Sequence, residues 1–313
     1  MILLIGAGPM AVHYANVLKG LKKEFRVVGR SLQSAETFEK ATGVTPSVGG
    51  LESFLKGCDE VIEHAIVAVS VEQLEEATRQ LLMHGVTRIL VEKPGGLTLA
   101  SIHSLQALAT ERNANVFIAY NRRFLSSVLL AKDMIADDGG VTSFIFELTE
   151  WSDSIAKIHK AEGVKENWFF ANTSHVTDLA FYLGGLPEEL SCYVAGKLDW
   201  HSRASRFFGA GKTNCGALFS YSGDWDAPGR WAVEVMTSKR RYIFKPMEKL
   251  QVQNRNSVAV DYCEVDDSLD QQYKPGLFLQ VKHFLDEDFS AMCSLQEHLA
   301  SSTMYARIAN YDC

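Results

Sequence analysis

Apolar and polar positions keep two different rhythms along this chain. Through the first 120 residues, short unbroken apolar runs alternate with longer stretches in which apolar residues recur at helical spacing. The runs at 2–5, 24–28, 61–69, 86–91 and 115–120 predict buried strands, and the stretches at 11–18, 34–42, 51–56, 71–84 and 97–113 predict helices. Strand following helix in this way predicts a parallel sheet with right-handed crossovers, whose ligands sit at the carboxyl ends of the strands.

After a helix at 124–137 the pattern changes. Residues 141–150, 190–196, 215–221, 230–236, 241–244 and 250–253 alternate apolar with polar, as half-buried antiparallel strands do. Thr237, Ser238, Lys239 and Arg240 predict a turn between two of them, helices are expected at 173–183, 276–288 and 294–311, and 203–212 and 261–273 read as loosely ordered. The fold class predicted is an α/β Rossmann domain, residues 1–120, followed by an α+β domain, residues 121–313, with a largely antiparallel open-faced sheet. One face of that sheet has too few helices to cover it, which points to a homodimer or homotetramer formed through it.

The first apolar run ends in Gly6-Ala7-Gly8-Pro9-Met10-Ala11, a G-x-G-x-x-A pattern between a strand and a helix. Gly6 permits the tight turn, Gly8 lets backbone approach a pyrophosphate, and Ala11 lets helix pack on strand. Pro9 and Met10 complete a helix N-terminus that offers free N–H groups to phosphates. About 20 residues on, where an acid would bind a ribose 2′-hydroxyl, Gly29 stands instead, followed by Arg30 and Ser31. A cation and a hydroxyl there suit a 2′-phosphate, so NADP is the expected cofactor, with NAD possible. The bland alternative is a solvated arginine at a strand end.

Composition narrows the class without changing it. A chain of 313 residues, 47% hydrophobic and 22% charged, builds two ordinary globular domains. No apolar run reaches membrane-spanning length, and the first strand begins at Met1, so a cytoplasmic protein without a leader is expected. The net charge of −7 is spread without a basic block, which excludes a nucleic-acid partner. The six cysteines, Cys58, Cys192, Cys215, Cys263, Cys293 and Cys313, show no CxxC pair, so no metal site or disulfide framework is expected.

Taken in order, Gly6-x-Gly8-x-x-Ala11, Glu92-Lys93-Pro94, Tyr120-Asn121-x-Arg123-Phe124 and His175-x-x-Asp178 resemble the motifs of the Gfo/Idh/MocA oxidoreductases over nearly the whole chain. That resemblance implies a Rossmann domain plus an open-sheet domain, and oxidation of a secondary hydroxyl, or reduction of the ketone, of a sugar, nucleotide-sugar, polyol or inositol. It implies that Lys93 and His175 are catalytic, and that Ser70, Glu92 and Pro94 join the glycine turn, Arg30 and Ser31 in holding cofactor. An ammonium beside an oxidised nicotinamide ring meets like charge and desolvation, which favour its use as an acid or base. Asn121 and Arg123 match family residues at the cleft, and Asp178, one helical turn after His175, could orient the imidazole or position the helix. Asn172 supplies a further polar group, and Trp151 and Trp168 offer flat surfaces for a sugar ring, core packing being at least as good an explanation.

The sequence departs from the family in two places. Ala171 stands where many members carry an aspartate four residues before the histidine, and Ser70-Val71-Glu72 replaces the usual proline and histidine after the third strand. The reading that follows is an NADP-preferring oxidoreductase of carbohydrate-like alcohols. Its alternatives are a non-catalytic nucleotide sensor, favoured by Ala171, and a lyase or epimerase that regenerates its nicotinamide.

Overall fold

A computed structural model of the chain describes residues 1–311. Cys313, one of the six thiols, lies outside the described residues. In chain order the first half contains β1 (Ile2–Ile5), α1 (Pro9–Gly20), β2 (Phe25–Val28), α2 (Leu32–Thr42), α3 (Leu51–Lys56), β3 (His64–Val67), α4 (Leu74–His84), β4 (Arg88–Val91), α5 (Leu99–Glu111) and β5 (Asn115–Ile118). Then come α6 (Ser126–Asp137), β6 (Ser143–Glu147), α7 (Ser152–Lys157), α8 (Ser174–Gly184), β7 (Pro187–Ala195), β8 (Arg206–Thr213), β9 (Leu218–Asp224), β10 (Ala232–Met236), β11 (Arg240–Phe244) and β12 (Gln251–Asn254). The chain finishes with β13 (Asp261–Tyr262), α9 (Ser268–Gln272), α10 (Leu277–Leu285), β14 (Cys293–Ser294) and α11 (Leu295–Ala309).

The chain forms two compact units, and the first is discontinuous: Met1–Asn121 is joined by Leu269–Ala300. Its sheet runs β14-β5-β4-β3-β1-β2, parallel except for β14. Ile5 is paired in register with Val28 on one side and Val67 on the other. Leu3, Ile5, Val67, Val91 and Ile118 then meet Leu81, Leu82, Ile102 and Leu105 from α4 and α5 in one buried cluster. Strands buried on both faces need no alternation, which is why they read as unbroken apolar runs. The contiguous division expected at residue 121 therefore differs from the observed one, because a late segment returns to supply α10 and the antiparallel edge strand β14. A two-residue strand carries too little pattern to be read from sequence.

The second unit, Arg122–Ser268 together with the chain from Ser301 onward, is built on the sheet β13-β12-β11-β10-β6-β9-β8-β7. It is antiparallel apart from the β6–β9 pair. Phe144, Phe146 and Phe219 point to one face, where Phe181 of α8 meets all three edge-on at centroid distances of 5.7, 5.5 and 5.1 Å. The other face exposes Tyr193 and Phe208 and forms a shallow groove of about 800 Å³.

β8 corrects the expectation of loose order across 203–212. Its Gly209 and Gly211 weaken the sequence pattern, yet the sheet requires them. A Cβ at Gly209 would overlap the Ser191 carbonyl and lie 2.5 Å from the Tyr221 ring, and one at Gly211 would overlap the Glu189 carbonyl. The other stretch expected to be loose, 261–273, holds β13 and α9.

Asp138, at the C-cap of α6, pins that helix to the β10–β11 hairpin. Its carboxylate accepts Arg240 Nη2 at 2.6 Å, Tyr242 Oη at 2.7 Å and Thr237 Oγ1 at 2.9 Å. The Arg240 hydrogen bonds hold its carboxyl well below the usual carboxylate range.

Candidate active site

In the first unit, β1 ends in the glycine turn that starts α1. Gly6 has φ +117, and a Cβ there would run into the carbonyl of Ala68, so the turn and the packing of β1 on the end of β3 both demand glycine. Gly8 is different. It is the N-cap of α1 with φ −92, and a Cβ built on it meets no protein atom within 4 Å. Nothing in the protein's own packing needs a bare backbone there, whereas a close-approaching phosphate does. Pro9 opens the helix, Met10 follows half-buried, and Ala11 is fully buried against the sheet.

A crevice of about 570 Å³ extends from this turn and is lined by Gly6, Gly8, Gly29, Arg30, Ser31 and Ser70. A Cβ on Gly29 would press on that of Ala7 at 3.2 Å, so an acid in this place crowds the glycine turn. Arg30 is exposed and makes no hydrogen bond or ion pair with any described residue. Ser31 is the N-cap of α2, its Oγ accepting from the Ser34 N–H at 3.3 Å. Ser70, at the far wall, donates to Glu72.

Glu92 and Lys93 follow directly on β4. The Glu92 carboxylate turns inward and accepts the hydroxyl of Tyr14 from α1 at 2.7 Å. Burial raises its pKa, against the opposing pull of the Tyr14 hydrogen bond and of the Lys93 charge. Lys93 is half-buried, and the peptide bond to Pro94 is cis. The Pro94 carbonyl accepts from Nε2 of the buried His298 at 2.8 Å, which fixes the turn that carries the lysine. Asn121, at the end of this stretch, donates to the Pro275 carbonyl at 2.7 Å, so its amide is engaged in holding backbone.

In the second unit, a single π-helical turn, Phe169–Thr173, precedes α8. Such insertions in a helix redirect side chains that straight α-geometry would aim elsewhere. Here Asn172 Nδ2 and Thr173 Oγ1 both reach the buried carboxylate of Glu150, at 3.0 and 2.7 Å. Arg230 Nη1 approaches the same carboxylate at 3.2 Å. The Arg230 guanidinium lies between two indoles, 4.3 Å from the Trp231 centroid and 4.7 Å from that of Trp151. Arg122 covers Trp231 at 5.0 Å. His175, 8% exposed on the first turn of α8, has its ring centroid 6.2 Å from that of Trp231.

The structure thus gathers His175, Asn172 and Trp151 with three residues that sequence reasoning missed: Glu150, Arg230 and Trp231. It sorts the remaining expectations differently. Arg123 and Asp178 form a bidentate pair, Nε to Oδ2 at 2.9 Å and Nη2 to Oδ1 at 2.6 Å, with both side chains buried. This pair ties α8 to the segment before α6. Trp168 is 7% exposed and packs edge-on against Trp200 at 6.0 Å, the core-packing reading of that residue. Among the described residues no cluster of His, Cys, Asp and Glu has a metal-holding arrangement, and no helix is long and apolar enough to cross a membrane.

A parallel sheet that opens with a glycine turn, in a chain that also carries an open antiparallel sheet, defines the class as an NAD-binding oxidoreductase fold. Residues 1–120 match the model of the Gfo/Idh/MocA family, described as "Oxidoreductase family, NAD-binding Rossmann fold". No curated protein matches the sequence. Among solved structures, a levoglucosan dehydrogenase in complex with NADH superimposes with a TM-score of 0.80 at 15% identity, over 99% of this chain and 95% of the other. A UDP-N-acetylglucosamine 3-dehydrogenase from Acidithiobacillus ferrooxidans gives 0.74 at 13% identity, over 98% and 96%. The WlbA dehydrogenase from Bordetella pertussis, solved with NADH and UDP-GlcNAcA, gives 0.72 at 16% identity, over 99% and 95%. At these identities the likeness is one of fold.

Proposed function

We propose that the chain is a dehydrogenase or reductase that prefers NADP and acts on a secondary hydroxyl, or its ketone, in a sugar, nucleotide-sugar, polyol or inositol. The observation that carries this is Gly8: an open cradle at a helix N-terminus that protein packing does not explain, with Lys93 placed at the carboxyl end of a strand in the same sheet. Two of these solved structures, the levoglucosan dehydrogenase and the WlbA dehydrogenase, hold NADH. The preference for NADP rests instead on this chain's own Gly29 and on an Arg30 that no described residue engages, next to the N-terminus of α2.

A nicotinamide dinucleotide held in the crevice supplies two-electron redox chemistry. The α1 N-terminus receives the pyrophosphate, Arg30 and the α2 N-terminus the 2′-phosphate, and Ser70 lines the far wall. Lys93 takes the proton from the substrate hydroxyl and its charge stabilises the developing alkoxide. His175 is the second proton-handling and substrate-binding group, with Asn172 and the exposed Trp151 as further substrate contacts. Asp178 and Arg123 hold the helix on which His175 sits. The apolar groove on the uncovered sheet face is the surface through which copies of the chain associate.

Lys93→Met keeps the apolar stem and removes the charge. The variant should bind NADPH within a few-fold of the wild type and lose about 10²–10⁴-fold in kcat, measured by stopped-flow NADPH absorbance on whichever alcohol or ketone the wild type turns over. Wild-type turnover that survives the substitution contradicts the mechanism. Cofactor binding without turnover of any stabilising ligand marks the protein as a sensor.

A further inference from the structure

The substrate-side cluster holds a guanidinium more tightly than charge pairing with Glu150 requires. Arg230 is fixed at three points. Its backbone N–H donates to Glu147 Oε1 at 3.0 Å, its Nη1 to Glu150 Oε2 at 3.2 Å, and its plane is flanked by Trp151 and Trp231. Trp151 is itself anchored, its Nε1 donating to the Gly229 carbonyl at 3.0 Å. A Cβ at Gly229 would overlap the Glu147 carboxylate, so a larger residue there would displace the side chain that accepts the Arg230 N–H. A long flexible side chain has been immobilised before any ligand arrives, so little rotamer entropy remains to be lost on binding.

Most of its donors are unused. Of the five N–H groups of the guanidinium, only Nη1 has a partner among the described residues, although the side chain is no more than 41% exposed. The Nε–Nη2 edge remains, a planar pair of donors whose spacing matches the two oxygens of a carboxylate. Glu150 also accepts from Asn172 and Thr173 and meets the guanidinium only at Nη1, which leaves the Nε–Nη2 edge to a ligand.

We infer that Arg230 is a specificity residue that selects a substrate bearing a carboxylate, a sugar acid of the uronate or aldonate kind, rather than a neutral sugar. This rests on the dehydrogenase reading and refines its substrate class. The neighbouring cavity of about 410 Å³ restricts where the acid sits. Its lining includes Glu150, Asp153 and Asp226, whose carboxylates repel an anion, together with the exposed Trp151, which suits the face of a ring. The ring therefore belongs against Trp151 and the acid at the Arg230 edge.

The test pairs each acid with its neutral counterpart: D-glucuronate with D-glucose, D-galacturonate with D-galactose, and D-gluconate with D-glucitol. Binding is read by calorimetry in the presence of NADP⁺ and turnover by NADPH absorbance, for wild type, Arg230→Gln and Arg230→Lys. At least one acid should bind the wild type about ten-fold to a hundred-fold more tightly than its neutral partner. Arg230→Gln should abolish that difference, weakening the acids about ten-fold to a hundred-fold more than their neutral partners, and Arg230→Lys, a point charge without a fork, should restore only part of it. Equal binding of acids and neutral partners by the wild type, or an Arg230→Gln loss shared equally by both, overturns the inference. So does tighter binding of D-glucose 6-phosphate than of every acid. Acid-selective binding without NADP⁺ reduction removes the dehydrogenase reading and leaves the assignment of Arg230 standing. Glu150 keeps its Asn172 and Thr173 bonds in both variants, and the melting temperature of each serves as the fold control.

Discussion

Arg30 and Arg230 are both arginines with donors to spare, but they differ in how firmly they are held. Arg30 is unrestrained and exposed, so its contribution to 2′-phosphate binding is a single screened contact worth about 1–3 kcal/mol. Arg30→Ala should weaken NADPH about ten-fold to a hundred-fold and leave NADH within two-fold, by fluorescence titration. A wild type that binds both equally ends the assignment. Introducing an acid at Gly29 is a poorer test, because its Cβ would press on Ala7 at 3.2 Å and disturb the turn for either cofactor. At this scale the sequence was readable where a residue's role is local. Gly6, Gly8 and Arg30 are identified by their distance from one strand end. Glu150 and Arg230 stand 80 positions apart and meet only because β6 pairs with β10, so neither one's neighbours in sequence announce it. Of the two roles open to Asp178, its pair with Arg123 fits the positioning of the helix, and that partner, 55 positions earlier, is not announced by the residues around either one.

Among the elements, those with a strong period were legible and those built on exceptions were not. The parallel strands β1 to β5 and the helices between them follow from apolar runs and helical spacing. β8 was hidden by the two glycines that let it lie close to β7 and β9, and the π-turn before α8 has no sequence period to reveal it. The α6–hairpin pin makes a testable case of element-level stability. Because the folded-state pKa of Asp138 is depressed, the pin's full contribution is present above the unfolded carboxyl value of about 4 and is lost as pH falls toward the folded value. Asp138→Asn should lower stability by about 2–4 kcal/mol at pH 7, since it leaves Arg240 without its charge partner. The gap between variant and wild type should then narrow as pH is lowered below 4. A constant gap between pH 3 and pH 7 in urea unfolding would show that the pin is held by hydrogen-bond geometry and not by charge.

For the whole molecule, the two sheets and their order were foreseeable, but the path of the chain through them was not. Alternation along β7, β8 and β9 places Tyr193, Phe208 and Leu218, respectively 71%, 47% and 62% exposed, on the strands at one edge of the second sheet. If association uses this face, Phe208→Glu with Tyr193→Glu should reduce the mass seen by light scattering to that of one chain, without loss of melting temperature in the isolated protomer. A wild type already monomeric at micromolar concentration rules the interface out. The late return of β14 to the first sheet has a different consequence, one of timing. On the ribosome, β5 emerges with the first 120 residues, but its outer partner, Cys293 and Ser294, is made only after Arg122–Ser268, the larger segment of the second unit. Throughout that interval the nascent chain carries an unpaired strand edge, a template for adventitious pairing, and chains that terminate early keep it permanently.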